Sequence, residues 1–299
     1  MKKTLLSTIA LIAIAGSASA ADLPSIKSTP APAPIMSWNG FYAGLNTGYG
    51  FGTANNAQNY GWANSNYFGS DSLAFAASYS QLGRNITQGG FIGGGQVGYN
   101  YQFRQNFLIG FETDMQGSGI SGEGNADGWA PLTPNTQSTN VWGFISRVPI
   151  QAGINWMGTV RGRIGYLISP TVLAYATGGL AYGGTYLKTF PQQHLGITDG
   201  YATALFVSTQ NAQQNLNVGW TAGGGAEWMM APNWSIKGEA LYYDLNNTAV
   251  ANNSHTYLGG FAGSIGGSTT RAYYQGVIAR AGVNYHFNLA NIAPIVAKF

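Results

Sequence analysis

The stretch that decides the fold runs from Phe91 to Gln116, FIGGGQVGYNYQF-RQN-FLIGFETDMQ. Its first half alternates. Phe91, Gly93, Gly95, Val97, Tyr99, Tyr101 and Phe103 fall on one face, and Ile92, Gly94, Gln96, Gly98, Asn100 and Gln102 on the other. A strand sends successive side chains to opposite sides, so this segment has one apolar, aromatic face and one small, polar face. Arg104, Gln105 and Asn106 then reverse the chain. From Phe107 the pattern resumes, with Phe107, Ile109, Phe111, Thr113 and Met115 set against Leu108, Gly110, Glu112, Asp114 and Gln116.

The same alternation predicts eight strands: Trp38 to Phe51, Phe91 to Phe103, Phe107 to Gln116, Ile154 to Tyr166, Val172 to Tyr186, Val218 to Met230, Trp234 to Leu245 and Gln275 to Phe287. Each is about 10 to 15 residues, against about five or six for a strand in a soluble protein. A strand tilted across a bilayer needs about 9 to 11. Short connections at Arg104–Asn106, Leu167–Thr171 and Ala231–Asn233 alternate with long polar ones near Gly52–Gly90, Gly117–Gly153, Leu187–Asn217 and Asn246–Tyr274. Short periplasmic turns and long external loops are the habit of outer-membrane barrels. The expected fold is therefore all-β, a closed antiparallel eight-stranded transmembrane β-barrel with four long extracellular loops and short periplasmic turns.

The charges test which face meets lipid. Only 8% of the 299 residues are charged, where a soluble domain carries about 25%. Glu112, Asp114, Arg161, Arg163, Glu227, Lys237, Glu239 and Arg280 all sit on the small, polar face, flanked by apolar-face neighbours. A charge facing lipid at the midplane costs about 2–4 kcal/mol, so its avoidance of the aromatic face implies that this face meets lipid. A soluble barrel of the lipocalin kind would carry charge outside. Eight strands enclose a lumen only wide enough for side chains. Four acids and four bases there can pair, either filling the lumen or lining a narrow water path. Trp38, Tyr49, Tyr99, Tyr101, Trp156, Tyr166, Trp228, Trp234, Tyr242, Tyr243 and Tyr285 lie near strand ends and are expected to form interfacial girdles.

Residues 1–20 read as a cleaved signal peptide: Lys2 and Lys3, an apolar run from Leu5 to Ala15, then Ala18-Ser19-Ala20. Residues 21–37, with Pro24, Pro30, Pro32 and Pro34, form a Pro-rich periplasmic leader. The barrel occupies 38–287 and a C-terminal tail 288–299. The absence of cysteine excludes disulfides and thiolate chemistry. A net charge of +3 is too small to argue for nucleic acid. Gly93, Gly95 and Gly98 match a dinucleotide fingerprint, but a strand follows where the fingerprint needs a helix, so no cofactor is expected. His194 and His255 fall in long loops and His286 near the periplasmic rim, facing the lumen. They offer no repeated spacing for a metal site and no third catalytic partner, so neither metal binding nor enzymatic activity is expected.

Seven stretches carry a resemblance: WNGFYAGLNTGYGFG from Trp38, GFETDMQ from Gly110, GTVRGRIGYLISP from Gly158, YATGGLAYG from Tyr175, GWTAGGGAEW from Gly219, IKGEALYYDL from Ile236 and RAGVNYHF from Arg280. In their order and spacing the chain resembles the small outer-membrane β-barrels of Gram-negative α-proteobacteria described as outer-membrane immunogenic or porin-family proteins, relatives of the OmpA-type barrel. The resemblance implies an outer-membrane location, lipid contact and passage through the barrel-assembly machinery. Gly282, Tyr285 and Phe287 match the C-terminal signal which that machinery reads, although this chain continues past Phe287. It implies an envelope-integrity and surface-antigen role, with ligands outside the cell met through the loops. The alternatives are a low-conductance porin and haem capture by the loops.

Overall fold

Tyr, Phe, Val and Thr at alternate positions suit a pleated surface, and glycine lets neighbouring backbones close up. In the computed structural model, which describes residues 37–53, 57–63, 83–84, 86–131, 142–190, 192–197, 200–208, 211–245, 249–256 and 265–287, such segments form fourteen strands. They are β1 Gly40–Gly52, β2 Ala57–Ala63, β3 Gly83–Arg84, β4 Gly89–Phe103, β5 Phe107–Pro131, β6 Trp142–Ser169, β7 Val172–Thr189, β8 Gln192–Ile197, β9 Gly200–Ser208, β10 Asn211–Ala231, β11 Trp234–Asp244, β12 Ala249–Thr256, β13 Ile265–Ala272 and β14 Gln275–His286. Signal peptide, leader and tail, the first and last segments expected from the sequence, lie outside the described residues, apart from Ser37.

Eight strands close a ring in the order β1-β4-β5-β6-β7-β10-β11-β14, every neighbour antiparallel, with β14 returning to β1. Turns at Arg104–Asn106, Pro170–Thr171 and Pro232–Asn233 join neighbours at one end. Arg104 and Gln105 take positive φ values of 45° and 25°, the conformation a tight hairpin requires. Following paired residues around the ring from Gly40 leads through Asn100, Gly110, Arg163, Thr177, Gly223, Leu241 and Ile278 back to β1 at Gly50, a stagger of ten residues. With about 3.3 Å per residue and about 4.8 Å between strands, that stagger tilts the strands by about 40°.

Large side chains outside mark two belts. Near the short turns, Trp234 meets Tyr285 and Phe41 meets Tyr99, with ring centroids 5.1 and 4.8 Å apart. Further along, Trp156 meets Tyr182 at 6.1 Å and Trp220 meets Tyr242 at 5.3 Å. On β1 the belts are marked by Phe41 and Phe51, both more than half exposed. At a tilt of about 40° they stand about 25 Å apart, the height of an outer-membrane apolar band. Between the belts no outward position among the described residues carries a charge.

Two expected girdle residues belong elsewhere. Trp38 is buried, inside the short-turn end of the barrel, and Tyr243 is buried on the inner wall. Tyr242 and Tyr243 are consecutive on a strand, so they cannot share a face; Tyr242 takes the outer one.

Among the described residues, the long connections expected as loops are largely sheet. β5 and β6 continue well past Gln116 and before Ile154, paired with one another from Ile120–Ile154 to Pro131–Gly143. β8 and β9 extend that wall from β6. A separate sheet of order β12-β13-β2-β3 is built from the first and last long connections, and its β12 packs against β7 and β10. A polar composition shows that a segment stands in water; it does not show that its backbone is irregular.

Candidate functional site

The inner wall is layered. At the short-turn end Trp38, Leu108, Leu167, Leu173, Tyr175 and Met229 form an apolar cluster. At the opposite end a larger cluster includes Ile92, Ile120, Ile150, Ile154, Met157, Tyr243 and Ile278. Between them lies the ionic belt. All eight charged residues named from the sequence are there, none more than 6% exposed.

Arg161, inward on β6, is the hub. Its Nη2 donates to Glu112, and to Asp114 Oδ2 at 3.0 Å; its Nη1 donates to Glu239 Oε2 at 3.1 Å and its Nε to Thr159 Oγ1 at 2.9 Å. Lys237 Nζ reaches both oxygens of Glu112, at 2.9 and 3.0 Å, and Glu239 Oε1 at 3.1 Å. Arg280 joins Glu239 to Asp114, through Nε at 2.7 Å and Nη2 at 2.8 Å. Arg163 pairs with Glu227 at 3.2 Å, and its guanidinium carbon stands 4.9 Å and 5.1 Å from the ring centroids of Tyr42 and Tyr175. Four carboxylates and four cations sum to zero. Taking ions out of water is costly, and that cost is offset here by pairing every charge and bonding most of the polar atoms around it.

Neutral partners complete it. Tyr42 donates to Glu112 Oε2 at 2.6 Å, Tyr175 to Glu239 Oε2 at 3.2 Å, and Asn284 and Ser235 to Glu227 Oε1 at 2.7 and 2.5 Å. Ser235 Oγ also bonds His286 Nε2, at 2.9 Å. His286 is buried on the lumen wall at the short-turn end. A search for charge misses these neutral side chains, yet their inward position in the alternation marks them. Glycine makes the room. A Cβ on Gly98 would strike Tyr42 and come within 2.7 Å of Phe111 O, whereas Gly162 and Gly238, which face outward, have open space beyond them.

The remaining site residues fall apart from the belt. Gly282 faces inward beside Asn46, while Tyr285 and Phe287 meet edge to face on the outer side with centroids 5.1 Å apart. His194 lies on β8 of the barrel sheet and His255 on β12 of the four-stranded sheet. The expected haem-capturing loops fall in good part outside the described residues. Outside the belt, exposed Arg147 and Asp127 form a pair at 2.7 Å on the extension of β5 and β6.

No family model matches the chain. It is 34% identical over 261 residues to the 31 kDa outer-membrane immunogenic protein of Brucella melitensis biotype 1, covering 86% of this chain and 93% of that one. It is 28% identical over 213 residues to the 22 kDa outer membrane protein of Rhizobium leguminosarum, covering 71% and 66%. Among solved structures, OprG from Pseudomonas aeruginosa aligns over 83% of this chain and 96% of its own, with 10% identity and a TM-score of 0.36. A closed ring of eight strands, an uncharged outer band between aromatic belts and the kinship with the Brucella protein together assign the chain: it belongs to the outer-membrane immunogenic protein family, and is an outer-membrane β-barrel.

Proposed function

We propose that the protein is a non-enzymatic surface barrel whose strands anchor it in the outer membrane, whose lumen is closed to solutes, and whose external sheets meet partners outside the cell. One observation carries the closed lumen: eight mutually neutralising charges, all buried, lie between two apolar layers. A solute on this path would have to displace both layers and break ion pairs in a low-dielectric interior. The external role is supported by the sheet that continues beyond the membrane band on β5, β6, β8 and β9, and by the four-stranded sheet beside it. Gly282, Tyr285 and Phe287 are assigned the assembly signal in this reading, since the aromatic pair faces outward on the last barrel strand.

A second reading, a narrow water-filled pore, draws on a different observation. Asn46 Oδ1, Asp114 Oδ1, Arg163 Nη2, Arg280 Nη1 and both amide atoms of Gln116 are buried without a protein partner, and bridging water is the usual way to satisfy such atoms. Planar-bilayer recording of the refolded chain separates the two. The closed lumen predicts a silent bilayer. Reproducible unitary steps that vanish in Arg161→Met or Arg163→Met would overturn it in favour of the pore.

A further inference from the structure

The chain approaches β1 by way of the barrel mouth. Trp38 lies two residues before β1, yet only 2% of it is exposed. Its indole Nε1 donates to Pro170 O at 3.0 Å. Pro170 belongs to the turn between β6 and β7, which stands across the ring from β1. Trp38 therefore spans the periplasmic opening. Its ring packs among Leu108, Leu167 and Met229 and stands edge-on to His286, with centroids 5.6 Å apart and planes at 85°.

The backbone is built for this detour. Gly40 has φ +117°, a conformation that side chains with a Cβ rarely adopt, and a Cβ there would come within 3.0 Å of Phe287 O. At that residue the chain changes from crossing the mouth to climbing the wall. Asn39 Oδ1 accepts the Gln102 amide at 2.5 Å and pins the bend. Directly behind Trp38 lie His286, Ser235 and Glu227, the end of the ionic belt nearest the periplasm.

We propose that Trp38 is a hinged cork in the periplasmic mouth: Gly40 is its hinge, the Pro170 carbonyl its latch, and its withdrawal admits small polar molecules from the periplasm to Glu227, Ser235 and His286. The inference rests on the closed-lumen reading for its meaning and is tested separately from it.

The chain has no cysteine, so Ser235→Cys places a single thiol behind the cork, and Gln105→Cys in the exposed first turn supplies the rate for a free thiol. The full-length chain is refolded into lipid vesicles and alkylated with iodoacetamide. Ser235→Cys alone is expected to react far more slowly than Gln105→Cys. Adding Trp38→Ala should raise its rate about tenfold or more, as when a local closing equilibrium loses its latch. Trp38→Phe, which keeps a ring against His286 but loses the donor to Pro170, should fall between. A rate within about twofold of the parent in Trp38→Ala, or fast labelling with Trp38 in place, overturns the cork. Should Trp38→Ala not reach the folded band on an unboiled gel, Trp38→Phe decides, and no rise in its rate overturns the cork. A parent that conducts in bilayers defeats the closed lumen; a silent parent with unchanged labelling defeats only the cork.

Discussion

Replacing Arg161 by methionine keeps most of the stem and removes the guanidinium on which Glu112, Asp114, Glu239 and Thr159 converge. Four carboxylates would then face three cations. The belt would hold one uncompensated negative charge in a layer whose charged members are at most 6% exposed. Removing one partner of a buried ion pair costs about 3–5 kcal/mol. For an m-value of about 2 kcal/mol/M in urea, the unfolding midpoint should fall by roughly 2 M. The assay is equilibrium urea unfolding in detergent micelles, followed by tryptophan fluorescence and by the mobility difference between boiled and unboiled samples. The double variant Arg161→Met with Glu239→Gln restores neutrality while leaving an acceptor for Arg280 and Lys237. It should be more stable than Arg161→Met alone, with a coupling of about 0.5–3 kcal/mol. A midpoint for Arg161→Met equal to the parent's would refute the claim that the belt is a sealed, mutually dependent unit. So would a double variant whose losses simply add.

Three further outcomes are expected. Arg147→Ala breaks a pair as short as those in the belt, and its hydrogen bond to Asp127 holds the Arg147 pKa above the ordinary value. Both side chains are about half exposed, so the urea midpoint should stay where the parent's is, and a shift like that of Arg161→Met would show that burial is not what matters. Gly98→Ala should push Tyr42 off Glu112 and cost about 1–3 kcal/mol in the same titration, while Gly238→Ala, facing open space outside, should be neutral; equal effects would contradict the assigned faces. Antibodies against a peptide of residues 249–256 should stain intact cells, and antibodies against the 103–107 turn should stain only permeabilised ones, by flow cytometry; the reverse would invert the barrel in its membrane.

The membrane-spanning part of this fold is written plainly in the chain because bilayer and lumen impose opposite demands on neighbouring residues. Glu112 and Asp114 on β5, or Lys237 and Glu239 on β11, can be assigned inward from their neighbours alone. Which of them meet is another matter. Arg280 on β14 reaches Asp114 on β5 across β1 and β4, a contact that depends on closure and on the ten-residue stagger. No local pattern encodes a stagger. Trp38 is misplaced for another reason: its even position shares the inward face of Tyr42 and Asn46, and only its residue type, a Trp at a strand end, points to the lipid girdle.

The upper wall shows the deepest ambiguity. On β6 the apolar residues Val148, Ile150, Ala152, Ile154, Trp156, Val160 and Ile164 keep to even positions throughout, which reads as one continuous outer face. The structure divides them. Val160 and Ile164 face outward, while Ile154, Ala152, Ile150 and Val148 are buried in the lumen. A bulge between Ile154 and Trp156 inserts one unpaired residue and exchanges the two faces. It falls at the level of the upper aromatic belt, where Trp156 meets Tyr182. Below that level the favourable place for an apolar side chain is the lipid; above it, with water outside, that place is the interior. One unpaired residue at the membrane boundary lets the strand meet both demands with an unbroken apolar phase, so the change of solvent leaves no mark in the hydrophobic pattern that would reveal it.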